Sequence, residues 1–129
     1  MAVQLTFTDP HGRLHGVVSA NDDDEQLFVA TTELLGPVAA CFVAERHSCG
    51  ELSAQEVGDA RTAARAFRRD GLARVAPTAA ELETARNWLD VIFTVFERAA
   101  GPLRWELAFD AGGSIDDGQR EYVTSARLG

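Results

Sequence analysis

The stretch Pro77–Pro102, PTAAELETARNWLDVIFTVFERAAGP, decides how the rest of the chain is interpreted. Thr78 and Glu81 have the three-residue spacing of a capping box, in which each side chain bonds the backbone N–H of the other. Gly101 is expected to cap the helix end in the left-handed conformation, and the proline after it prevents the helix from continuing. Between these ends, apolar residues recur at the spacing of one helix face, at Leu82, Ala85, Leu89, Ile92, Phe93 and Phe96. The pattern predicts a helix over residues 79–100.

The apolar surface of this predicted helix is wider than one contact requires. Trp88, Val91 and Val95 add a flank beside the main apolar line. Together they cover an arc of roughly 200°, whereas a surface helix needs only a little over 100°. We therefore expect the helix to be covered from two directions, by a second element of this chain or by a partner. These three residues are predicted partner-binding candidates.

Length and composition indicate a soluble globular chain. Its 129 residues predict a single domain over 1–129, and its hydrophobic content of 46% is ordinary. No apolar run approaches the roughly 20 residues of a membrane span, and the N-terminus lacks the pattern of a signal peptide. Two cysteines, Cys41 and Cys49, are too few to stabilise a fold of this size by disulfides. We expect a cytoplasmic location and no membrane partner.

The charge balance narrows the choice of partners. The net charge is −8 and the pI about 4.7, which argue against nucleic-acid binding. All twelve basic residues are arginine, which we attribute to codon bias in a GC-rich bacterial genome; selection of arginine for bidentate recognition is the alternative.

Alternation and turn residues predict the strands. Residues 3–19 read as a hairpin around the turn Asp9–Gly12. The segments 26–32 and 38–45 are the next two predicted strands; the second is interpreted as a strand, although a run of this length does not distinguish a strand from a buried helix. Strict alternation predicts a strand over 103–109, and a closing strand lies within 119–127.

A second helix is predicted on the N-terminal side of the helix over 79–100. Ser53 and Glu56 form another capping box, and the helix is expected to run to Asp70 with Gly71 as its cap. The short link 72–77 makes the two helices antiparallel neighbours. The predicted element order is β-β-β-β-α-α-β-β. It indicates an α+β fold, with a mainly antiparallel sheet of about six strands and both helices on one face.

Candidate catalytic or metal-binding residues are few. His11, His15, Cys41, His47 and Cys49 are all the histidines and cysteines of the chain, and their spacing matches no structural zinc motif. A His47/Cys49 pair is the only arrangement with the residue types of a nucleophilic site. No phosphate-binding, hydrolase or metalloprotease motif occurs. We therefore predict no catalytic residues, no metal and no cofactor, and lean against an enzyme.

Charged clusters are the remaining candidates for binding. Asp22, Asp23, Asp24 and Glu25 form one acidic run, and a later acidic segment contains Asp116 and Asp117. They lack the ligand spacing of a calcium loop, so we expect solvated turns or a surface that meets a basic protein.

Three arginines share one face of the second helix. Arg61, Arg65 and Arg69 recur every fourth residue, and like charges at this spacing destabilise a helix. Their repulsion is offset by intramolecular ion pairs and the helix dipole, or by contact with an anion or an acidic partner.

These observations favour a small acidic bacterial protein that binds another protein. The most concrete form is an immunity protein or antitoxin that neutralises a toxin. The alternatives are a dimeric secretion-type chaperone, which would bury Trp88, Val91 and Val95 in its homodimer, and a small enzyme that uses His47 and Cys49.

Overall fold

The fold was analysed in a computed structural model that describes residues 3–34, 49–109 and 125–129. Within these ranges the strands are β1 (Val3–Thr8), β2 (Leu14–Ala20), β3 (Cys49–Leu52), β4 (Leu103–Phe109) and β5 (Ser125–Leu128). The helices are α1 (Glu25–Glu33), α2 (Ala54–Ala66), α3 (Leu72–Val75) and α4 (Ala79–Arg98). Short 3-10 turns occupy Asp22–Asp24 and Arg69–Gly71.

The five strands form one antiparallel sheet in the order β3-β4-β1-β2-β5. Strand β1 lies at its centre because alternate residues along it are apolar and fully buried. Leu5, for example, is opposite Leu107 on β4 and Val18 on β2. The α+β class and the antiparallel sheet predicted from the sequence are confirmed.

The predicted hairpin over residues 3–19 is also confirmed. Its turn is closed by the backbone N–H of Gly12, which donates to the carbonyl of Asp9 at 2.9 Å. Gly12 has φ of 84°, a left-handed conformation that glycine adopts without steric cost.

Helix α4 begins and ends close to the predicted residues. The hydroxyl of Thr78 accepts the backbone N–H of Glu81 at 3.1 Å. The same hydroxyl donates to the Glu81 carboxylate at 2.7 Å. The helix ends at Arg98, and Ala99 is already extended. Gly101 is therefore not a left-handed cap as predicted, because the chain leaves the helix two residues before it.

Two covers enclose α4, as its wide apolar arc predicts. One side packs on the sheet, where the rings of Phe96 and Phe7 meet edge to face at 5.6 Å. On the other flank, Phe28 of α1 contacts Trp88 at 5.3 Å in the same geometry. Strands β2 and β5 also lie against α4. The second cover is thus supplied within the chain.

The prediction of a strand over 26–32 is wrong, because these residues belong to α1. The buried residues Leu27, Phe28, Thr31 and Thr32 have the spacing of one helix face. Their β-branched and aromatic side chains suggested a strand, but strand propensity depends on packing context. The acidic residues just before α1 also favour a helix N-terminus, because they interact well with its dipole.

The helix predicted to end at Asp70 ends earlier. Its capping box is present, with Ser53 N–H donating to Glu56 at 2.9 Å and Glu56 N–H donating to the Ser53 hydroxyl at 3.1 Å. However, α2 ends at Ala66, and Phe67 is extended. A 3-10 turn and α3 follow, so the described part contains four helices instead of two.

Three further predictions lie partly or wholly outside the described residues. The sequence His47–Gly50 indicates a turn, but Cys49 and Gly50, the two residues of it that are described, begin the edge strand β3. The segment 38–45 is not in the described ranges, and of 119–127 only the last three residues are, as part of β5.

Candidate functional site

The acidic run after β2 forms a 3-10 turn that leads into α1. Asp23 is exposed, and Glu25 opens the helix, while Glu33 is exposed at its other end. These three carboxylates line a groove of about 560 Å³. Its apolar part is formed by Val29 and Ala30. We refer to this surface as the α1 groove.

The part of the sequence that contains α1 has acidic residues but no lysine or arginine. No arginine or lysine occurs between residues 14 and 45, whereas six of the acidic residues do. This segment of the sequence therefore carries net negative charge, which favours a cationic ligand or surface.

Glu33 is a lining residue that the sequence analysis missed. Asp23, Gln26, Ala30 and Glu33 are three, four and three residues apart, which is the spacing of one helix face. This signal was readable from the sequence, but only if residues 25–33 had been interpreted as a helix. In a strand, Asp23 and Glu33 would lie on the opposite face from Gln26 and Ala30.

The other acidic candidates are placed differently. Asp24 belongs to the same 3-10 turn as Asp23 but is not among the described residues that line the groove, and the side chain of Asp22 lies outside the described part. Asp116 and Asp117 lie outside the described residues.

The apolar partner candidates are part of the core. Trp88 and Val95 are each 1% exposed and Val91 is 9% exposed. The indole N–H of Trp88 donates to the backbone carbonyl of Ser19 at 3.2 Å, so its polar atom is satisfied inside the chain. In this conformation none of the three offers a surface to a partner.

The arginines of α2 bond within the chain. Arg61 donates from Nε to the carbonyl of Phe96 at 2.9 Å and from a terminal nitrogen to that of Ala99 at 2.7 Å. These carbonyls belong to the end of α4, where backbone acceptors lack helical partners and positive charge is favourable. Arg61 therefore joins α2 to the end of α4.

Arg65 forms a second link between the same two helices. Its guanidinium makes two hydrogen bonds to the carboxylate of Glu97, one of them from Nε at 3.1 Å. These bonds lower the pKa of Glu97 and raise the pKa of Arg65. The side chain of Arg69 lies outside the described part. Two of the three proposed anion-binding arginines are thus engaged in packing α2 against α4.

Residues of the hairpin turn line two further grooves. One, of about 550 Å³, is lined by the residues Thr8, Asp9, Pro10, Gly12, Glu51, Leu52, Ser53, Glu56, Pro102, Leu103 and Arg104. The other, of about 320 Å³, contains His11 and His15 beside the chain that follows α4. Nε2 of His15 lies 3.3 Å from the Asp9 carboxylate.

The smaller groove combines two histidines with one carboxylate. A carboxylate beside a histidine can orient the ring, but among the described residues no serine, threonine, cysteine or lysine lines this groove. Asp9 also accepts the backbone N–H groups of His11 and Arg13 at 2.8 and 3.0 Å. These bonds identify Asp9 as the residue that holds the turn.

The described residues give little support to a metal site or to a reactive cysteine. No group of three or more histidine, cysteine, aspartate or glutamate side chains there is placed to hold a metal ion. Cys49 is exposed on the edge strand β3, and its proposed partner His47 lies outside those ranges. None of the helices described is long and apolar enough to cross a membrane.

Comparisons with known proteins do not assign the chain to a family. No family of known proteins matches the chain, and neither a curated protein nor a solved structure is significantly similar to it.

Proposed function

We propose that this protein binds a basic protein partner through the α1 groove, and that its concrete role is that of a bacterial immunity protein or antitoxin. The observation that carries the proposal is the groove itself, where carboxylates border an apolar strip. An apolar strip with a charged border is the usual arrangement of a protein interface. A cytoplasmic setting is part of the same proposal.

Long-range electrostatic attraction supports the same role. A net charge of −8 attracts a basic partner over distances of several ångströms and accelerates its encounter. Toxins that degrade nucleic acids need basic surfaces to bind their substrates. An acidic inhibitor suits such a target because it competes for the same surface.

The test is a charge reversal in the groove. The double variant Asp23→Lys/Glu33→Lys places positive charge on both exposed lining carboxylates, which lie at opposite ends of α1. We expect its association rate constant with the toxin-like product of a neighbouring gene to fall by about tenfold or more at low salt. Stopped-flow mixing at several salt concentrations would measure this rate constant.

The matched control is Glu83→Lys/Asp90→Lys, which makes the same charge change on the exposed side of α4. This variant reports the effect of net charge alone. If both double variants bind equally well, charge in the α1 groove does not guide binding and the proposed site is wrong. If no neighbouring gene product binds the wild-type protein, the proposed role is wrong.

A further inference from the structure

The larger groove beside the hairpin turn is lined by a row of polar side chains from three strands. Glu51, Arg104 and Thr8 are in register on the neighbouring strands β3, β4 and β1. They lie on the sheet face opposite the core, because their chain neighbours Leu52 and Leu103 are buried. All three line the groove, whose volume of about 550 Å³ is within the range of small-molecule sites. The row thus places a carboxylate, a guanidinium and a hydroxyl on strands about 4.8 Å apart.

The two charged side chains of this row have no partner in the described part of the chain. Glu51 and Arg104 are both exposed, and neither side chain forms an ion pair or a hydrogen bond with a described residue. Even if the two side chains met in solution, an exposed ion pair contributes little to stability. A ligand that separates them would therefore lose little, and both charges are available to it.

The other carboxylates of the groove already accept hydrogen bonds. Asp9 accepts two backbone N–H groups of the hairpin turn, at 2.8 and 3.0 Å. Glu56 accepts the backbone N–H of Ser53 at 2.9 Å. Of the three carboxylates that line the groove in the described part, Glu51 is therefore the one without such bonds. The other two keep the local potential negative, which favours a bound ammonium group beside Glu51.

Arg104 supplies the opposite charge. A guanidinium binds a carboxylate through two parallel hydrogen bonds, and the hydroxyl of Thr8, on the next strand, can donate a third. A ligand that satisfies Arg104 and Glu51 together must carry a carboxylate and an ammonium group close to each other, because the two residues are on adjacent strands. In an α-amino acid both groups are attached to the same carbon atom.

Two prolines form the apolar part of the groove. Pro10 and Pro102 are exposed and line it beside the buried Leu52 and Leu103. Because the proline ring fixes φ, this wall changes little on binding, and little entropy is lost in ordering it. An apolar side chain of the ligand would leave water here, which is favourable. The groove therefore fits an amino acid whose side chain is apolar.

We propose that this groove, between the hairpin turn and the start of α2, binds a free α-amino acid with an apolar side chain. Its carboxylate lies against Arg104 and Thr8, and its ammonium group lies against Glu51. The site shares no described lining residue with the α1 groove. The proposal therefore goes beyond the binding of a basic protein and does not depend on it.

Titration of the full chain with L-phenylalanine and with L-leucine, followed by amide NMR spectra, tests the proposal. We expect saturable shifts of the amide signals of Thr8, Glu51 and Arg104. Phenethylamine, which lacks the carboxylate, and 3-phenylpropanoate, which lacks the ammonium group, are the ligand controls. Each should bind at least about tenfold more weakly than L-phenylalanine, because each loses one charge-assisted contact.

Two variants assign the contacts. Arg104→Gln should weaken L-phenylalanine binding at least about tenfold without weakening that of phenethylamine. Glu51→Gln should weaken it similarly without weakening that of 3-phenylpropanoate. The matched controls are Arg98→Gln and Glu106→Gln, at exposed positions that do not line the groove.

Three outcomes would overturn the proposal. The first is a wild-type spectrum that shows no saturable shift with either amino acid. The second is an analogue that binds as well as L-phenylalanine, since the site would then not recognise both charges. The third is a loss of binding in the control variants equal to that in Arg104→Gln and Glu51→Gln.

Discussion

Asp9 organises the hairpin turn through a single carboxylate. One oxygen accepts the backbone N–H groups of His11 and Arg13, and the other lies 3.3 Å from the His15 ring. These interactions favour the charged carboxylate, so the pKa of Asp9 is lowered, chiefly by the hydrogen bond from Arg13. The turn between β1 and β2 thus depends on the ionisation of one residue.

The variant Asp9→Asn tests this dependence because it keeps an oxygen acceptor and removes the charge. A carboxyl group whose pKa is lowered by folding stabilises the folded state above its unfolded pKa of about 3.9, and this contribution is lost as pH falls through the folded pKa. We expect the variant to be less stable than wild type at neutral pH. The difference should shrink below about pH 4.

Urea unfolding from about pH 3 to pH 7 would measure the difference. Asp59→Asn, an exposed residue of α2, is the control for removal of one negative charge. If the two variants show the same pH profile, the bonds of Asp9 do not contribute to the stability of the turn.

At the scale of elements, the contact between α4 and the sheet depends on a residue without a side chain. A Cβ on Gly16 would lie 2.6 Å from Cγ2 of Val95 and 3.2 Å from Cγ1 of Val91. Both valines are buried and stiff at χ1, so neither can move away easily. Strand β2 can lie this close to α4 only because of the glycine.

We expect Gly16→Ala to lower the free energy of unfolding by about 1–2 kcal/mol, because overpacking outweighs the smaller gain from a less flexible unfolded chain. Adding Val95→Ala removes the clashing methyl groups. In a double-mutant cycle the two changes should therefore cost less together than the sum of their separate effects. Additive effects would show that the helix shifts to accommodate the methyl group.

Elements differ in how well the sequence predicts them. Helix α4 and strand β4 were predicted because their capping residues, apolar spacing and alternation all agree. Helix α1 was misassigned because nine residues with aromatic and β-branched side chains are compatible with either state. Glu33 was consequently missed as a lining residue of the α1 groove.

At the scale of the whole molecule, α1 closes the core over one flank of α4. Phe28 is fully buried, and its ring meets Trp88 edge to face at 5.3 Å. A second aromatic pair, Phe67 and Phe93, has nearly the same geometry at 5.4 Å, but both rings are only partly buried. Because the two pairs have similar ring geometry but different burial, a comparison of them shows how much burial alone contributes to stability.

Phe28→Ala should cost about 3–5 kcal/mol, a large share of the stability of a small domain, because it leaves a cavity in the core. Phe67→Ala should cost clearly less, since its ring is already partly hydrated. Denaturant unfolding gives both values. In a Trp105→Phe background, the emission of Trp88 should shift to the red in Phe28→Ala only. Equal costs would indicate that α1 does not seal the core.

The sequence by itself determined the α+β class, the hairpin, the starts of α2 and α4, and the need for two covers around α4. These features depend on spacing, alternation and capping, which act between residues close in the chain. Only the tertiary structure decided that α1 provides the second cover, that Arg61 and Arg65 bond to α4, and that the α1 carboxylates line one groove. Each of these outcomes depends on which distant segments meet, and local patterns do not specify that, because many partners can satisfy the same apolar face or charged group.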